Sequence, residues 1–149
     1  MRIAIIGGGP GGLYCAAELR RLGAERGIDH RVTVWERNAP DDTFGFGVVF
    51  SDETLGGIEL ADPVVFAAMQ RELVRWDDIQ VRFRGTVNVS GGHGFSAISR
   101  KELLGLLQRR CVEVGVSVHF RTVAPTLATL RREHDLVIAA DGANSAVSA

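Results

Sequence analysis

The hydrophobic pattern opens with a short apolar run, residues 3–6, that passes directly into glycines. From about Gly11 the apolar positions recur every three or four residues, which is typical of one face of a helix that ends at Gly23 or Gly27. That face comprises Gly12, Cys15, Ala16, Leu19, Leu22 and Gly23. Residues 31–36 are typical of a second strand. The pattern therefore predicts a β-α-β unit at the start of the chain.

The middle of the chain has a weaker pattern. Residues 38–57 are rich in glycine and acidic residues, and they show too little periodicity to predict a core element. Asp62 before Pro63 predicts the start of a helix that runs to about Trp76, because aspartate caps a helix and proline suits its first turn. The apolar stripe of this helix comprises Val65, Ala68, Met69 and Leu73.

Alternation with a period of two follows in residues 79–84 and 86–90, on either side of Gly85. Such alternation around a tight turn predicts an antiparallel hairpin with one solvent-facing side. Ser99 and Glu102 match a capping box, which predicts a helix that ends at Gly115 and turns Leu104, Leu107, Cys111 and Val114 toward the core. Four shorter elements complete the prediction: strands at 95–99 and 116–120, a short helix at 126–132 and a fully buried strand at 136–140.

Composition narrows the class of protein. The 149 residues carry a formal net charge of −1 with scattered arginines, so we expect no nucleic-acid partner and no membrane partner. No apolar stretch is long enough to be a membrane span. Cys15 and Cys111 fall on apolar helix faces and fit neither a metal site nor a redox pair. This predicts two buried thiols in a reducing, cytoplasmic compartment.

A glycine motif supplies the strongest chemical signal. Gly7, Gly9 and Gly12 follow the first predicted strand, and Glu36 closes the second. In a dinucleotide site the first glycine permits a sharp turn, the second lets the backbone approach a pyrophosphate, and the third lets helix and sheet pack closely. The amides of the following helix then bind phosphate, and the acid binds the adenosine ribose. Because the charge of Glu36 repels a 2′-phosphate, the sequence favours FAD or NAD over NADP.

A second candidate contact is Asp141-Gly142, directly after the last predicted strand. Ligands of open α/β sheets gather at the carboxyl ends of the strands, where the glycine motif also lies. A carboxylate and a glycine at that edge suit a ribose or a pyrophosphate. The structural alternative is an ordinary Asp-Gly turn on the surface.

These motifs, together with Ser99-Arg100 at the start of a leucine-rich helix, resemble the single-component FAD-dependent aromatic hydroxylases. The segments ERNAPDDTFGFGVVFSDETL, RWDDIQVRFRG and SGGHGFSAISRKELL are similar to the N-terminal part of the salicylyl-CoA 5-hydroxylase and anthraniloyl-CoA monooxygenase group. The resemblance implies that residues 1–149 are a Rossmann-like, glutathione-reductase-type FAD domain with an antiparallel hairpin insertion. It also implies hydroxylation of an aromatic ring, free or as its CoA thioester, with NADH or NADPH and molecular oxygen as co-substrates.

The resemblance also implies a set of cofactor-binding residues: Gly7, Gly9, Gly12, Glu36, Arg37, Gly47, Val48, Arg100, Asp141 and Gly142. Gly45, Gly47 and Val48 are implied to let the backbone approach the flavin ring. Arg37 is assigned to adenine or phosphate, with a solvated strand end as the alternative. Arg100 stands out because a helix dipole disfavours a cation in the first turn, which suggests an anionic ligand. The sequence shows no catalytic triad or carboxylate pair, so no catalytic residue is assigned.

Two departures from the family pattern matter. Ser148 stands where the family has an arginine, which weakens the assignment of the Asp141-Gly142 turn to the nicotinamide nucleotide. A later Gly-Asp motif and most of a substrate domain are missing, and residues 141–149 lack an apolar close. We therefore expect an N-terminal fragment that is inactive by itself. An NAD-dependent dehydrogenase and a non-catalytic FAD-binding module stay open as alternatives.

Overall fold

The computed structural model describes residues 1–43, 45–142 and 145. The strands in this part of the chain are β1 Arg2–Ile6, β2 Arg31–Trp35, β3 Gly47–Ser51, β4 Val74–Trp76, β5 Ile79–Phe83, β6 Thr86–Ser90, β7 Phe95–Ser99, β8 Ser117–His119 and β9 Leu136–Ala139. The helices are α1 Pro10–Glu25, α2 Asp52–Ala61, α3 Pro63–Gln70, α4 Arg100–Val114 and α5 Leu127–Glu133. The chain divides into two units, one formed by Met1–Thr43 with Leu103–Ala149 and the other by Phe44–Glu102.

The first unit is built on a parallel sheet with the strand order β8-β2-β1-β9. The register places Ile6 beside both Trp35 and Ala139, and Trp35 beside His119. All four strands therefore end at the same edge of the sheet. The predicted α/β fold is confirmed, and so are the β-α-β start and the elements at 116–120, 126–132 and 136–140.

The core of this unit lies between the sheet and its helices. Ile3, Ile5 and Val34 of the central strands are fully buried, as is Leu13 of α1. Cys111 of α4 is also fully buried, and its Sγ–H donates to the Leu13 carbonyl at 3.3 Å. The predicted helix is thus present as α4. Leu104, Leu107 and Cys111 are buried as predicted, whereas the predicted Val114 is only half-buried.

The buried face of α1 is shifted from the predicted one, because the predicted Leu19 and Leu22 are only half-buried. Leu13 and Ala17 are fully buried although the predicted face omits them, because α4 contacts α1 through Cys111 in addition to the sheet. The prediction of a buried thiol is confirmed for Cys111 and wrong for Cys15, which is half-buried. Burial raises the pKa of the Cys111 thiol to about 11 and also raises the pKa of Cys15.

The prediction that residues 136–140 form a fully buried strand is wrong as to burial. β9 is present and parallel to β1, but Leu136 is 39% exposed and the rest of the strand is not fully buried. The reason is its place in the sheet. Within the described residues β9 pairs with β1 alone, so it forms an edge of the sheet.

The second unit contains an antiparallel sheet with the order β3-β7-β4 and the helices α2 and α3. The prediction that residues 38–57 hold no core element is therefore wrong. The hydrophobic pattern did not predict β3, because this strand has only five residues and its partner β7 lies about fifty residues further along the chain. The pattern did not predict α2 either, because Gly56 and Gly57 in the middle of this helix lower its helix propensity. Ser51 caps α2, since its Oγ accepts a hydrogen bond from Thr54 N at 3.3 Å.

Asp62 begins α3 as predicted. The residue is fully buried, and its Oδ1 accepts from Val64 N at 3.0 Å and from Val65 N at 3.2 Å. The helix nevertheless ends at Gln70 rather than near Trp76. The predicted last turn instead forms β4, which pairs with β7. Pairing with a strand that is distant in sequence overrides the local helical pattern here.

The predicted hairpin is present, with β5 and β6 paired antiparallel around Arg84 and Gly85. Both turn residues have positive φ, 48° and 82°, as a two-residue turn of type I′ requires. The prediction of a single solvent-facing side is wrong, because every residue of both strands is exposed. These strands form a two-stranded sheet of their own, and within the described residues neither face is covered.

Candidate functional site

The carboxyl ends of the parallel strands hold most of the predicted binding residues. Gly7 follows β1 and donates its N–H to the Trp35 carbonyl at 2.8 Å. Its φ of 108° lies in the region that favours glycine. A Cβ at this position would also collide with the carbonyl oxygen of Ala140, the residue after β9. The turn that follows β1 therefore requires glycine for two independent reasons.

Gly12 and Gly9 have contrasting surroundings. A Cβ at Gly12 would collide with the carbonyl oxygen of Gly7, so α1 can approach the loop this closely only because residue 12 is glycine. Gly9 is the N-cap of α1, and a Cβ there would meet no atom within 4 Å. Its φ of −71° suits any residue. Packing thus explains Gly12, whereas the described residues leave Gly9 open to the approach of a ligand.

The N-terminus of α1 opens at this loop. Pro10 occupies the first helical position, the first turn carries no acidic side chain, and Gly9 supplies no side-chain cap. The first N–H groups of a helix have no intrahelical acceptor and attract negative charge. A phosphate group is the type of ligand that these amides fit.

Glu36 stands directly after β2 and is fixed through both its backbone and its carboxylate. Its N–H donates to the His119 carbonyl, and its carbonyl accepts from Thr122 N, each at 2.9 Å. The side chain is half-buried, with Oε2 accepting from Gly8 N and Oε1 from Asn38 N, each at 2.8 Å. Each carboxylate oxygen has a second lone pair. The acid can therefore accept further hydrogen bonds, for example from ribose hydroxyls.

Gly8 is a site residue that the sequence analysis did not single out. Its N–H binds the Glu36 carboxylate, and a Cβ at Gly8 would lie 2.7 Å from the Cβ of Glu36. A side chain at this position would displace the acid. The available signal was the run of three glycines at 7–9, in which the motif treats the middle residue as variable.

The Asp141-Gly142 turn lies beside the glycine loop, as the shared strand ends predict. The carbonyl oxygen of Ala140 occupies the space that a Cβ of Gly7 would need. Asp141 is half-buried and Gly142 has a φ of 84°. The prediction concerning Ser148 falls outside the described residues.

A second set of predicted residues lies in the other unit. In the register of β3 and β7, Gly47 is opposite Ser99, the residue before α4. Arg100 N donates to the Phe46 carbonyl at 3.2 Å, and the Arg100 side chain is half-buried. Ser99 caps the helix, since its Oγ accepts from Glu102 N at 3.1 Å. The structure thereby brings four predicted residues to one end of this sheet: Gly45, Gly47, Val48 and Arg100.

Arg37 and His93 both have exposed side chains. Arg37 follows Glu36 directly in the chain. His93 is exposed, its Nε2 lies 2.7 Å from Ser90 Oγ, and its ring stacks on Phe95. In the described part of the chain no cluster of His, Cys, Asp or Glu could hold a metal ion. No helix in that part is both long and apolar enough to cross a membrane.

Fold and site together define an α/β protein with a candidate phosphate-binding loop at the carboxyl ends of parallel strands. The chain belongs to the family described as lycopene cyclase protein, which it matches over residues 2–149.

Two curated relatives are similar over 145 residues, or 97% of this chain. A salicyloyl-CoA 5-hydroxylase from Streptomyces sp is 49% identical. A 3-hydroxy-4-methyl-anthranilyl-(aryl-carrier protein) 5-monooxygenase from Streptosporangium sibiricum is 34% identical. The chain spans 27% and 39% of the lengths of these relatives. The resemblance that the sequence motifs indicated is confirmed.

The fold is also found among solved structures. The structure of CtdE in complex with FAD and substrate 4 matches with a TM-score of 0.66 and 22% sequence identity. The match covers 81% of this chain and 30% of that chain. At this level of identity the likeness supports the fold alone.

Proposed function

We propose that this chain is the FAD-binding part of a flavoprotein monooxygenase that hydroxylates an aromatic ring, with molecular oxygen and NADH or NADPH as co-substrates. The observation that carries the proposal is the 49% identity to a salicyloyl-CoA 5-hydroxylase over nearly the whole chain. The geometry of the glycine loop supports the proposal, because a sharp turn, close helix packing and an open backbone position are the features that bind the pyrophosphate of a dinucleotide.

The residues present fit FAD. The uncapped N-terminus of α1 suits the pyrophosphate, and the open space over Gly9 lets a phosphate approach the backbone. The half-buried carboxylate of Glu36 suits the adenosine ribose. We assign the remaining predicted contacts to FAD as well: Gly7, Gly12, Arg37, Gly47, Val48, Arg100, Asp141 and Gly142.

We further propose that residues 1–149 form a Rossmann-like FAD domain of the glutathione-reductase type into which the β5–β6 hairpin is inserted. The strand order supports this, since β1 lies between β2 and β9. The glycine loop follows the central strand β1, and Glu36 follows its neighbour β2. That arrangement of glycines and acid is the one found in dinucleotide-binding β-α-β units.

The substrate that we propose is an aromatic acid linked to a carrier. One relative is named for a CoA-linked aromatic acyl group and the other for a group linked to an aryl-carrier protein. A monooxygenase of this type acts on the ring rather than on the carrier, so the carrier serves in recognition. The free thiols of Cys15 and Cys111 fit the reducing, cytoplasmic compartment in which CoA thioesters occur.

The chain contributes binding and orientation to this reaction. Bound FAD supplies the redox and oxygen chemistry. Gly7 and Gly12 let the loop close onto the sheet edge, the first amides of α1 hold negative charge, and Glu36 fixes the adenosine end. No described residue is assigned as an acid or base.

The alternative functions differ from this proposal in their expected visible spectra and turnover. An NAD-dependent dehydrogenase shows no visible absorption, whereas a bound flavin gives two visible bands. A non-catalytic FAD module has the flavin bands but consumes no NADH or NADPH when substrate is added. The family description names a cyclase, and a cyclase of this family would hydroxylate no aromatic thioester. Spectra and turnover with a salicyloyl-CoA substrate, measured on this chain beside the full-length salicyloyl-CoA 5-hydroxylase relative, separate these cases.

Gly9→Ala tests the cofactor assignment without disturbing the fold. We expect FAD affinity to fall by about tenfold, about 1.4 kcal/mol, because a methyl group would stand where the pyrophosphate approaches. Stability should stay within about 0.5 kcal/mol of the parent, because a Cβ at Gly9 meets no atom within 4 Å. Flavin fluorescence titration gives the affinity, and thermal unfolding without ligand gives the stability.

Gly56→Ala is the matched control for this change. A Cβ at Gly56 also meets nothing within 4 Å, but the residue lies inside α2 and carries no predicted ligand role. It should leave FAD affinity unchanged and raise stability by up to about 1 kcal/mol. Equal FAD affinity for the Gly9 variant and the parent would contradict the assignment of Gly9 to the pyrophosphate.

Arg100→Ala tests the predicted contact in the other unit. We expect FAD affinity to fall by about tenfold, since a charge-assisted hydrogen bond is worth about 1.5–3 kcal/mol. Helix content by circular dichroism should stay constant, because Ser99 still caps α4. Lys101→Ala is the control, since it removes an exposed neighbouring cation. Loss of helix signal with intact FAD affinity would show that Arg100 is structural.

A further inference from the structure

A turn at residues 120–122, directly after β8, is joined to the segment that carries Glu36 by backbone hydrogen bonds. The Glu36 carbonyl accepts from Thr122 N at 2.9 Å, and the Asn38 carbonyl accepts from Arg121 N at 3.0 Å. Asn38 in turn donates its own N–H to Oε1 of Glu36 at 2.8 Å. A chain of contacts therefore runs from Arg121 through Asn38 to the carboxylate.

Arg121 makes its contact from an unfavourable backbone conformation. Its φ is 52°, in the left-handed region that residues with a Cβ rarely adopt. Among the described non-glycine residues only Arg84 shares this feature, and Arg84 stands in a hairpin turn that demands it. No hairpin surrounds Arg121. Strain of this kind persists where the surrounding structure fixes the backbone, and it concentrates at ligand sites.

We infer that Arg121 is a positioning residue for the adenosine end of the dinucleotide. Its left-handed backbone directs the Arg121 N–H onto Asn38, and Asn38 then holds Glu36 Oε1 in the orientation that accepts a ribose hydroxyl. The role belongs to the backbone of Arg121 rather than to its guanidinium, which lies on an exposed side chain. This inference rests on the proposed function, since it assumes that Glu36 binds ribose.

The test is whether the protein distinguishes ADP from 2′,3′-dideoxy-ADP, which lacks the ribose hydroxyls. Ligand-observed NMR measures both affinities on the 149-residue chain. We expect the parent to prefer ADP by about tenfold or more, the effect of a hydrogen bond to a charged acceptor. Arg121→Pro, which cannot adopt positive φ and lacks the N–H, should reduce that preference to about twofold or less.

Arg121→Gly is the matched control, because glycine adopts the same φ without strain and keeps the N–H. It should retain the full preference for ADP even though the guanidinium is gone. If this variant loses the preference, the side chain itself contacts the ligand and the backbone role is wrong. If Arg121→Pro weakens both nucleotides equally and keeps their ratio, the turn is merely structural and the inference is also wrong.

Two further measurements keep the test decisive. Should Arg121→Pro fail to fold, Arg121→Val carries the same expectation, because a β-branched residue disfavours positive φ while keeping the N–H. In a Glu36→Gln background, whose own preference for ADP is reduced, Arg121→Pro should lower the ratio no further. A further drop there would contradict the inference. A parent chain that binds neither nucleotide would instead overturn the proposed function itself.

Discussion

Gly12→Ala should destabilise the chain strongly and abolish measurable FAD binding. The added Cβ would collide with the carbonyl oxygen of Gly7, a backbone atom with no flexible end that could move aside. Overpacking of this kind costs about 1–3 kcal/mol, and the rigid partner places Gly12 at the upper end. For a chain of this size that corresponds to a fall in melting temperature of about 6–12 °C. Differential scanning fluorimetry measures the shift, and flavin titration at low temperature measures the binding.

Gly11→Ala is the control for this prediction, because it adds the same methyl group one residue earlier in the same helix. A Cβ at Gly11 meets nothing within 4 Å. Stability should be unchanged or should rise by up to about 1 kcal/mol, since alanine is the better helix former. Similar melting temperatures for both variants would mean that α1 can move away from the loop, and the packing role assigned to Gly12 would be wrong.

Glu36→Arg should weaken FAD binding by about 10- to 100-fold, the range of about 1.5–3 kcal/mol for a hydrogen bond to a charged acceptor. The change removes the acceptor for the ribose and also leaves the N–H groups of Gly8 and Asn38 without their carboxylate partner. Stability should therefore fall as well, and both quantities need to be measured on the same preparation. Flavin fluorescence titration and thermal unfolding supply them.

Two companion variants separate charge from geometry at this position. Glu36→Gln keeps one side-chain oxygen that can accept from a backbone amide, so its stability should lie between those of Glu36→Arg and the parent. Arg37→Ala removes an exposed neighbouring cation and should leave stability unchanged. FAD affinity equal to that of the parent in Glu36→Arg would show that Glu36 is not the acid that binds ribose.

Elements that depend on local signals could be predicted from the sequence. The caps at Ser51, Asp62 and Ser99 each join residues three positions apart, so both partners of each hydrogen bond lie in one short segment of the sequence. The β5–β6 hairpin is equally local, because a two-residue turn joins its strands. The C-terminal end of α3 and the existence of β3 were not predictable in this way. Both depend on β7, a strand distant in sequence from β3.

In the candidate site, too, local features could be predicted from the sequence, whereas contacts between distant residues could not. The sequence by itself determined the glycine spacing and the acid after the second strand, because a sharp turn and close helix packing allow only glycine. Only the tertiary structure decided that Gly8 holds the Glu36 carboxylate and that the turn at 120–122 holds Asn38. The tertiary structure alone also determined that Ala140 is a neighbour of Gly7 and that β9 is partly exposed. These contacts join residues from about 28 to more than 130 positions apart, and such pairings follow from strand order, which no local pattern encodes.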